Sequence, residues 1–219
     1  MSQVQGSADR RPEALLEGIV EALATRGLTI VDDFLPPLLV ADLAREAREL
    51  WSEGGFRGAG IGQGANLQQN ATIRTDRILW LNPAIASPAQ CQYLASLEAL
   101  RLAINRALFL GLFEFEGHLA IYPAGAYYRK HLDQFRDQNQ RLVSAILYLN
   151  QGWREEDGGQ LRIFTDPTDA SRQEQVLPLA GRLVCFLSDR FVHEVLPARR
   201  ERMSLTGWFR KRDRLPGER

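Results

Sequence analysis

The chain has 219 residues, of which 45% are hydrophobic and 25% charged, a length and composition that specify one ordinary globular domain over 1–219 with its own core. With 27 Lys and Arg against 27 Asp and Glu, it lacks the basic excess of a general nucleic-acid or membrane-surface binder, and it has no run of the ~18 apolar residues a membrane span needs. Cys91 and Cys185 are too few for a disulfide framework or a thiolate zinc site, and the polar start MSQVQGSADRRPE is no secretion signal, so a cytoplasmic protein is expected.

Residues 1–10 are polar and expected to be disordered. PEALLEGIVEALATRG then repeats apolar side chains at helical spacing through Leu15, Ile19, Val20 and Leu23, with Pro12 and Gly27 suited to its ends. LTIVDDFL reads as a strand, and a second helix from Pro36 to Trp51 buries Leu39, Leu43, Ala47 and Leu50. FRGAGIGQGANLQQNATIRTD follows, with glycines at 58, 60, 62 and 64 and no sustained apolar period, which predicts a long mobile loop or ribbon. Its Gly60–Ala65 portion matches a dinucleotide fingerprint only in outline, because no striped helix begins there. Strand-like ILWL precedes a third helix, Pro88 to Leu110, packing through Leu94, Leu97, Leu100 and Ile104.

After residue 112 the texture changes to short strands: FEFEGHLAIYP, YYRKHLD, RLVSAILYLN, GGQLRIFTD, RLVCFLSD, HEVLPA and RMSLTGWFRKR. Turn chemistry separates them at Asp157-Gly158-Gly159, Asp166-Pro167 and Ala180-Gly181. The pattern predicts an α+β fold: a double-stranded β-helix (jelly roll) over 112–212, buttressed by the N-terminal and central helices, which cover one of its sheets. Cys185, within RLVCFL, is expected in the core.

Three histidines limit where metal chemistry can sit. His131 and Asp133 are two apart at a strand end, where a period of two puts both on one face; that is half a site at most, and taken alone the pair is better explained as a surface ion-paired histidine. His193 lies at the start of a later strand, and two histidines with one carboxylate make the facial triad that leaves three positions of an octahedral Fe(II) open. On the last strand, Met203 and Leu205 point one way and Arg202, Ser204, Thr206 and Trp208 the other. A buried Arg202 needs a carboxylate, either from a protein Asp or Glu or from a bound 2-oxo acid whose far end matches its fork. His118 shares a strand face with Ala120 and Tyr122, and a hydrogen-bonded structural histidine is the expected reading.

YPAGAYYRKHLD (122–133), RLVSAILYLNQGW (141–153), GGQLRIF (158–164), FLSDRFVHEVLPA (186–198) and RMSLTGW (202–208) together resemble the Fe(II)- and 2-oxoglutarate-dependent oxygenases. Within them the chain is similar to the prolyl hydroxylases related to the hypoxia-inducible-factor enzymes, as a compact bacterial-type relative. TIRTDRILWL is similar to the segment before the third helix of that family, and the Gly-rich stretch falls where the family carries a mobile loop over the substrate. The resemblance implies that His131, Asp133 and His193 bind iron and that Arg202 and Tyr148 hold the distal carboxylate of 2-oxoglutarate, with Tyr122 and Thr206 beside it. It implies Tyr128, Trp208, Val195 and Leu161 as substrate-pocket residues. Collagen-type relatives use a lysine where Arg202 stands, which favours the oxygen-sensing type; the interval from Tyr122 to His131 is one residue shorter than in the animal enzymes.

The implied reaction hydroxylates C4 of a prolyl residue while 2-oxoglutarate and O2 become succinate and carbon dioxide, with ascorbate as a supporting additive. The implied substrate is a protein with an exposed proline, which in bacterial relatives is the switch loop of elongation factor Tu. Three other readings compete: an AlkB-type nucleic-acid dealkylase, disfavoured by Trp208 where that family carries a second arginine; a hydroxylase of a free amino acid; and a non-catalytic jelly-roll binding module. Arg199, Arg200 and the RKRDR tail read as a solvated strand end.

Overall fold

The computed structural model describes residues 10–60, 70–134 and 140–212. The expected disorder of the N-terminus, the tip of the Gly-rich stretch at 61–69 and the end of the basic tail therefore lie outside the described residues.

Helix α1 spans Arg10–Arg26 and strand β1 Leu28–Val31. Helix α2, Pro37–Ser52, has proline at its first position, where a missing N–H leaves no bond unmade. The Gly-rich stretch contributes the short ribbon β2, Arg57–Gly58, paired with β3, Arg77–Trp80. Helix α3, Pro88–Leu108, is capped by the Ser87 side chain accepting from the Gln90 N–H. It stops two residues before the predicted end because Phe109 takes a left-handed backbone, φ 53°.

The remaining strands are β4 Leu112–Tyr122, β5 Tyr128–His131, β6 Arg141–Tyr148, β7 Leu161–Phe164, β8 Gln173–Val176, β9 Leu183–Leu187, β10 His193–Val195 and β11 Arg202–Lys211. Strand β8 has no counterpart among the predicted elements. The strands form a seven-stranded sheet in the order β1-β9-β6-β11-β4-β3-β2 and a four-stranded sheet in the order β5-β10-β7-β8, all pairs antiparallel. This is the jelly roll expected from the sequence.

Period-two alternation divides the large sheet into two faces. Leu119 and Ile121, Val143, Ala145 and Leu147, Leu183 and Cys185, and Met203 and Leu205 face the helices and join Ile19, Leu23, Leu43, Leu97, Leu100 and Ile104 in the main core. Their neighbours Ala120, Tyr122, Ile146, Tyr148, Val184 and Phe186 face the small sheet and pack with Leu161, Ile163 and Val195. Each fully buried Leu, Ile or Phe is worth roughly 1.5–3 kcal/mol of transfer free energy, so the helix-side core anchors the sheet that carries the functional face. No helix among the described residues is long and apolar enough to cross a membrane.

Candidate metal centre and adjoining cleft

A cleft of about 830 Å³ opens between the two sheets. Its positions follow from register. Along β11, Arg202 pairs with Tyr122 of β4; Ser204 with Ala120 of β4 and Tyr148 of β6; Thr206 with His118 and Ile146; and Trp208 with Glu116 and Ser144. Cross-strand partners share a face, so one polar stripe runs down the middle of the large sheet. From the small sheet, β10 sets His193 opposite His131 of β5 and Val195 opposite Leu161 of β7.

His131 Nε2 lies 3.5 Å and His193 Nε2 3.7 Å from the same oxygen, Asp133 Oδ1. At ~2.1 Å per bond, ligands of one ion sit up to ~4.2 Å apart, so both separations suit a shared metal. The Nδ1 atoms of His131 and His193 meet the carbonyls of Arg129 and Phe191, at 2.8 and 3.0 Å. Each Nδ1–H therefore donates to backbone, which fixes the tautomer and turns the Nε2 lone pair toward Asp133. Burial and neighbouring His131 bring His193 down to about 4, so it is neutral and able to ligate near neutral pH. Burial alone would raise the Asp133 carboxyl, but His193, His131 and the Ser144 hydroxyl overcome it and hold the group well below the usual carboxylate range. Asp133 departs from expectation in one respect: it sits in a bend beyond the end of β5 instead of on the strand.

The Arg202 side chain, at 2% exposure, donates from Nε to the Gly159 carbonyl at 2.9 Å. No Asp or Glu among the described residues pairs with it. Its guanidinium carbon lies 5.0 Å from the Tyr122 ring centroid and 4.9 Å from that of Tyr148. Gly159 holds a left-handed φ of 67°, and a Cβ there would press on Arg202 Cδ at 3.2 Å, so the glycine makes room for the arginine. Tyr148 is buried, does not itself line the cleft, and its hydroxyl, which lies beside Arg202, meets no well-aligned hydrogen-bond partner among the described residues. Burial pushes its phenol up, with Arg202 pulling the other way.

The other predicted residues, Tyr122, Thr206, Tyr128, Trp208, Val195 and Leu161, all line the cleft. Tyr128 stacks flat on His131, with ring centroids 3.5 Å apart and 14° between planes. His118 also lines the cleft, 4.9 Å from Trp80 and 5.6 Å from Trp208 between ring centroids, and its buried Nδ1 has no hydrogen-bond partner among the described residues. That corrects the expectation of a hydrogen-bonded structural histidine. Of the basic cluster, Arg200 pairs with Asp157 at 3.1 Å and covers Trp153.

Sequence reasoning missed two ion pairs at the cleft. Arg74 binds both oxygens of buried Asp76, at 2.8 and 2.6 Å, and lies 4.1 Å over the Tyr128 ring. Arg141 pairs with Glu116 at 2.8 Å and stacks 3.5 Å over Trp208. The first could have been found from the two-residue spacing in Arg74-Thr75-Asp76; the second joins residues too far apart in sequence to be read. Also missed were Ser144 and Ser188, which contact Asp133 directly and in relay.

A jelly roll whose cleft combines two histidines and a carboxylate in one small volume with a deep arginine that meets no carboxylate among the described residues suits an iron enzyme that binds a 2-oxo acid. The sequence profile of the 2OG-Fe(II) oxygenase superfamily matches residues 117–210. A prolyl-4-hydroxylase from Pseudomonas putida of known crystal structure is 51% identical, with a TM-score of 0.81 over 90% of this chain and 100% of that one. A prolyl hydroxylase from Trichoplax adhaerens, solved with a peptide fragment of the hypoxia-inducible-factor oxygen degradation domain, is 27% identical with a TM-score of 0.83, covering 95% of this chain and 94% of that one. Human Egl nine homolog 1 is 32% identical over 206 residues, covering 89% of this chain but 46% of the human protein, so the chain spans about half the length of that relative. The chain belongs to the 2OG-Fe(II) oxygenase superfamily, in its prolyl hydroxylase branch.

Members of that superfamily require Fe(II), 2-oxoglutarate and O2. The residues present fit these groups. The three ligand atoms of His131, Asp133 and His193 all lie within 4.8 Å of one another, and a carboxylate ligand would supply the acceptor that Arg202 and the Tyr148 hydroxyl do not find among the described residues.

Proposed function

We propose that the protein is a prolyl 4-hydroxylase that acts on an exposed proline of a protein substrate, coupling hydroxylation to the oxidative decarboxylation of 2-oxoglutarate. The observation that carries this reading is the opposition, in one cleft, of the His131–Asp133–His193 cluster and a buried Arg202 with no carboxylate partner among the described residues. In the overall reaction one atom of O2 enters the proline and the other the succinate formed as carbon dioxide leaves.

In this reading His131, Asp133 and His193 hold Fe(II). Arg202 donates its terminal N–H groups to the distal carboxylate of 2-oxoglutarate, and the Tyr148 hydroxyl beside it donates a further hydrogen bond. Tyr122 and Thr206 flank the cosubstrate. Val195 and Leu161 form an apolar wall that excludes water, and Tyr128 and Trp208 offer flat faces for a pyrrolidine ring. Bound iron supplies the redox chemistry; the chain supplies orientation and a dry pocket.

The chain then works as one catalytic domain over 1–219, with its jelly roll over 112–212. Its relative from Trichoplax binds a peptide, which supports a protein substrate here. Elongation factor Tu, through its switch loop, is the candidate we favour. The free thiols of Cys91 and Cys185 support a reducing, cytoplasmic setting. The test incubates the purified protein with Fe(II), 2-oxoglutarate, O2 and GDP-bound elongation factor Tu, then maps the factor by mass spectrometry. A gain of one oxygen on a proline, dependent on 2-oxoglutarate, is expected. Succinate release with the factor unmodified would remove that substrate, and no succinate release would remove the reaction.

A further inference from the structure

We propose that Ser188 and Ser144 form an ordered hydrogen-bond clamp that makes Asp133 a single-oxygen metal ligand, an inference that rests on the metal-centre reading above. Asp133 uses its two oxygens differently. Oδ1 faces the Nε2 atoms of both histidines, whereas Oδ2 accepts from the Ser144 hydroxyl at 2.6 Å. Ser144 Oγ lies 2.9 Å from Ser188 Oγ, and all three residues are buried.

The proton order follows from chemistry alone. An ionised carboxylate only accepts, so Ser144 must give its single proton to Asp133. Ser144 can then only accept from Ser188, and Ser188 becomes the donor. The chain Ser188→Ser144→Asp133 therefore has one direction.

The backbone makes the clamp rigid. Ser144 lies in β6 in register with Phe186 of β9, and Ser188 stands just past the end of β9. The Ser188 N–H donates to the Leu142 carbonyl at 3.0 Å, and its carbonyl accepts from the Gln134 N–H at 3.3 Å. Asp133 needs such support because it sits in a bend with no strand ladder to hold it. Two neighbouring points of that bend are thus tied to Ser188 at the end of β9, Gln134 directly and Asp133 through Ser144.

The consequence is a coordination count. An octahedral ion held by three protein atoms would keep three positions open, enough for a bidentate 2-oxo acid and O2. A carboxylate free to turn could bind through both oxygens and take one of those positions. Holding Oδ2 against Ser144 prevents this.

The test titrates Co(II), as a spectroscopic substitute for Fe(II), into the wild type and the Ser144→Ala, Ser144→Thr and Ser188→Ala variants. Melting temperatures of the metal-free proteins are recorded alongside. Ser144→Ala should weaken Co(II) binding by ~10–100-fold, the usual effect of losing a partner that orients a ligand, and should change the visible spectrum of the bound ion. Ser144→Thr, which keeps the hydroxyl, should restore both, and Ser188→Ala should weaken binding less than Ser144→Ala. A folded Ser144→Ala protein with wild-type affinity and spectrum would overturn the clamp. Should that variant fail to fold, Ser188→Ala decides the matter by the same two readouts. Failure of the wild type to bind Co(II) would instead overturn the metal-centre reading.

Discussion

Arg202 and Tyr148 lie against one another in the buried layer between the sheets, guanidinium carbon 4.9 Å from ring centroid, and neither has an acidic partner among the described residues. A buried guanidinium without a counter-charge is costly, and so is a buried hydroxyl without an acceptor. Side by side they suit a carboxylate that accepts from both, which is the role proposed for the distal end of 2-oxoglutarate.

Arg202→Lys should therefore weaken 2-oxoglutarate binding by about 1.5–3 kcal/mol, on the order of 10–100-fold, because lysine keeps the charge and loses the fork. Metal binding should persist. Titrating 2-oxoglutarate into the metal-loaded variant checks this, and unchanged affinity would take Arg202 out of the cosubstrate site.

His131→Ala removes one of the three proposed ligand atoms at a half-buried position outside both core clusters, where the ring's main packing partner is the stacked Tyr128. The protein should fold, lose stoichiometric Fe(II) and release no succinate. Metal analysis of the purified variant checks the second point, and retained iron would contradict the ligand assignment.

Acid should destabilise the metal-free protein well before its carboxylates titrate. Burial and His131 lower His193 to about 4, and burial with Arg74 and Arg141 lowers His118 to about 3, against 6.5 in the unfolded chain. Between those values the unfolded state binds more protons than the folded state, so stability rises with pH and falls as pH drops from 6.5 toward 4. The melting temperature should decline across that window, and less steeply in His118→Gln. A flat profile would mean that the histidines are not buried in neutral form.

Gly207 of β11 pairs with Gly117 of β4, and the Phe115 ring lies over both. A Cβ at 207 would collide with that ring and with the Glu116 carbonyl. Gly207→Ala should lose roughly 1–3 kcal/mol or more by overpacking, read as a lower denaturant midpoint with an unchanged slope. Wild-type stability would show that Phe115 can move aside at no cost.

Much of this was legible because β-strands write their faces into alternate residues. Met203 and Leu205 against Arg202, Ser204, Thr206 and Trp208 separates core from cleft without any structure, and the observed faces agree. Strand β8 escaped because Gln173, Glu174 and Gln175 are exposed and only Val176 is buried. It is an edge strand held to β7 by backbone bonds, and such bonds leave no apolar period to read. The spacing of His131 and Asp133 revealed the pair but not its geometry, since the chain bends between them. Ser144 and Ser188 are 44 residues apart, and a lone serine in an apolar strand gives no sign of what it will touch. His118 was visible as a residue on the cleft face; that its Nδ1 would find no partner depends on Trp80 and Trp208 closing around it.

The central claim is most directly tested by turnover under isotopically labelled O2 with Fe(II) and 2-oxoglutarate, followed by mass spectrometry of the succinate and of the protein substrate. The account predicts one labelled oxygen in succinate and one in a hydroxyproline, both lost in His131→Ala. Succinate without label, or label at a residue other than proline, would contradict it.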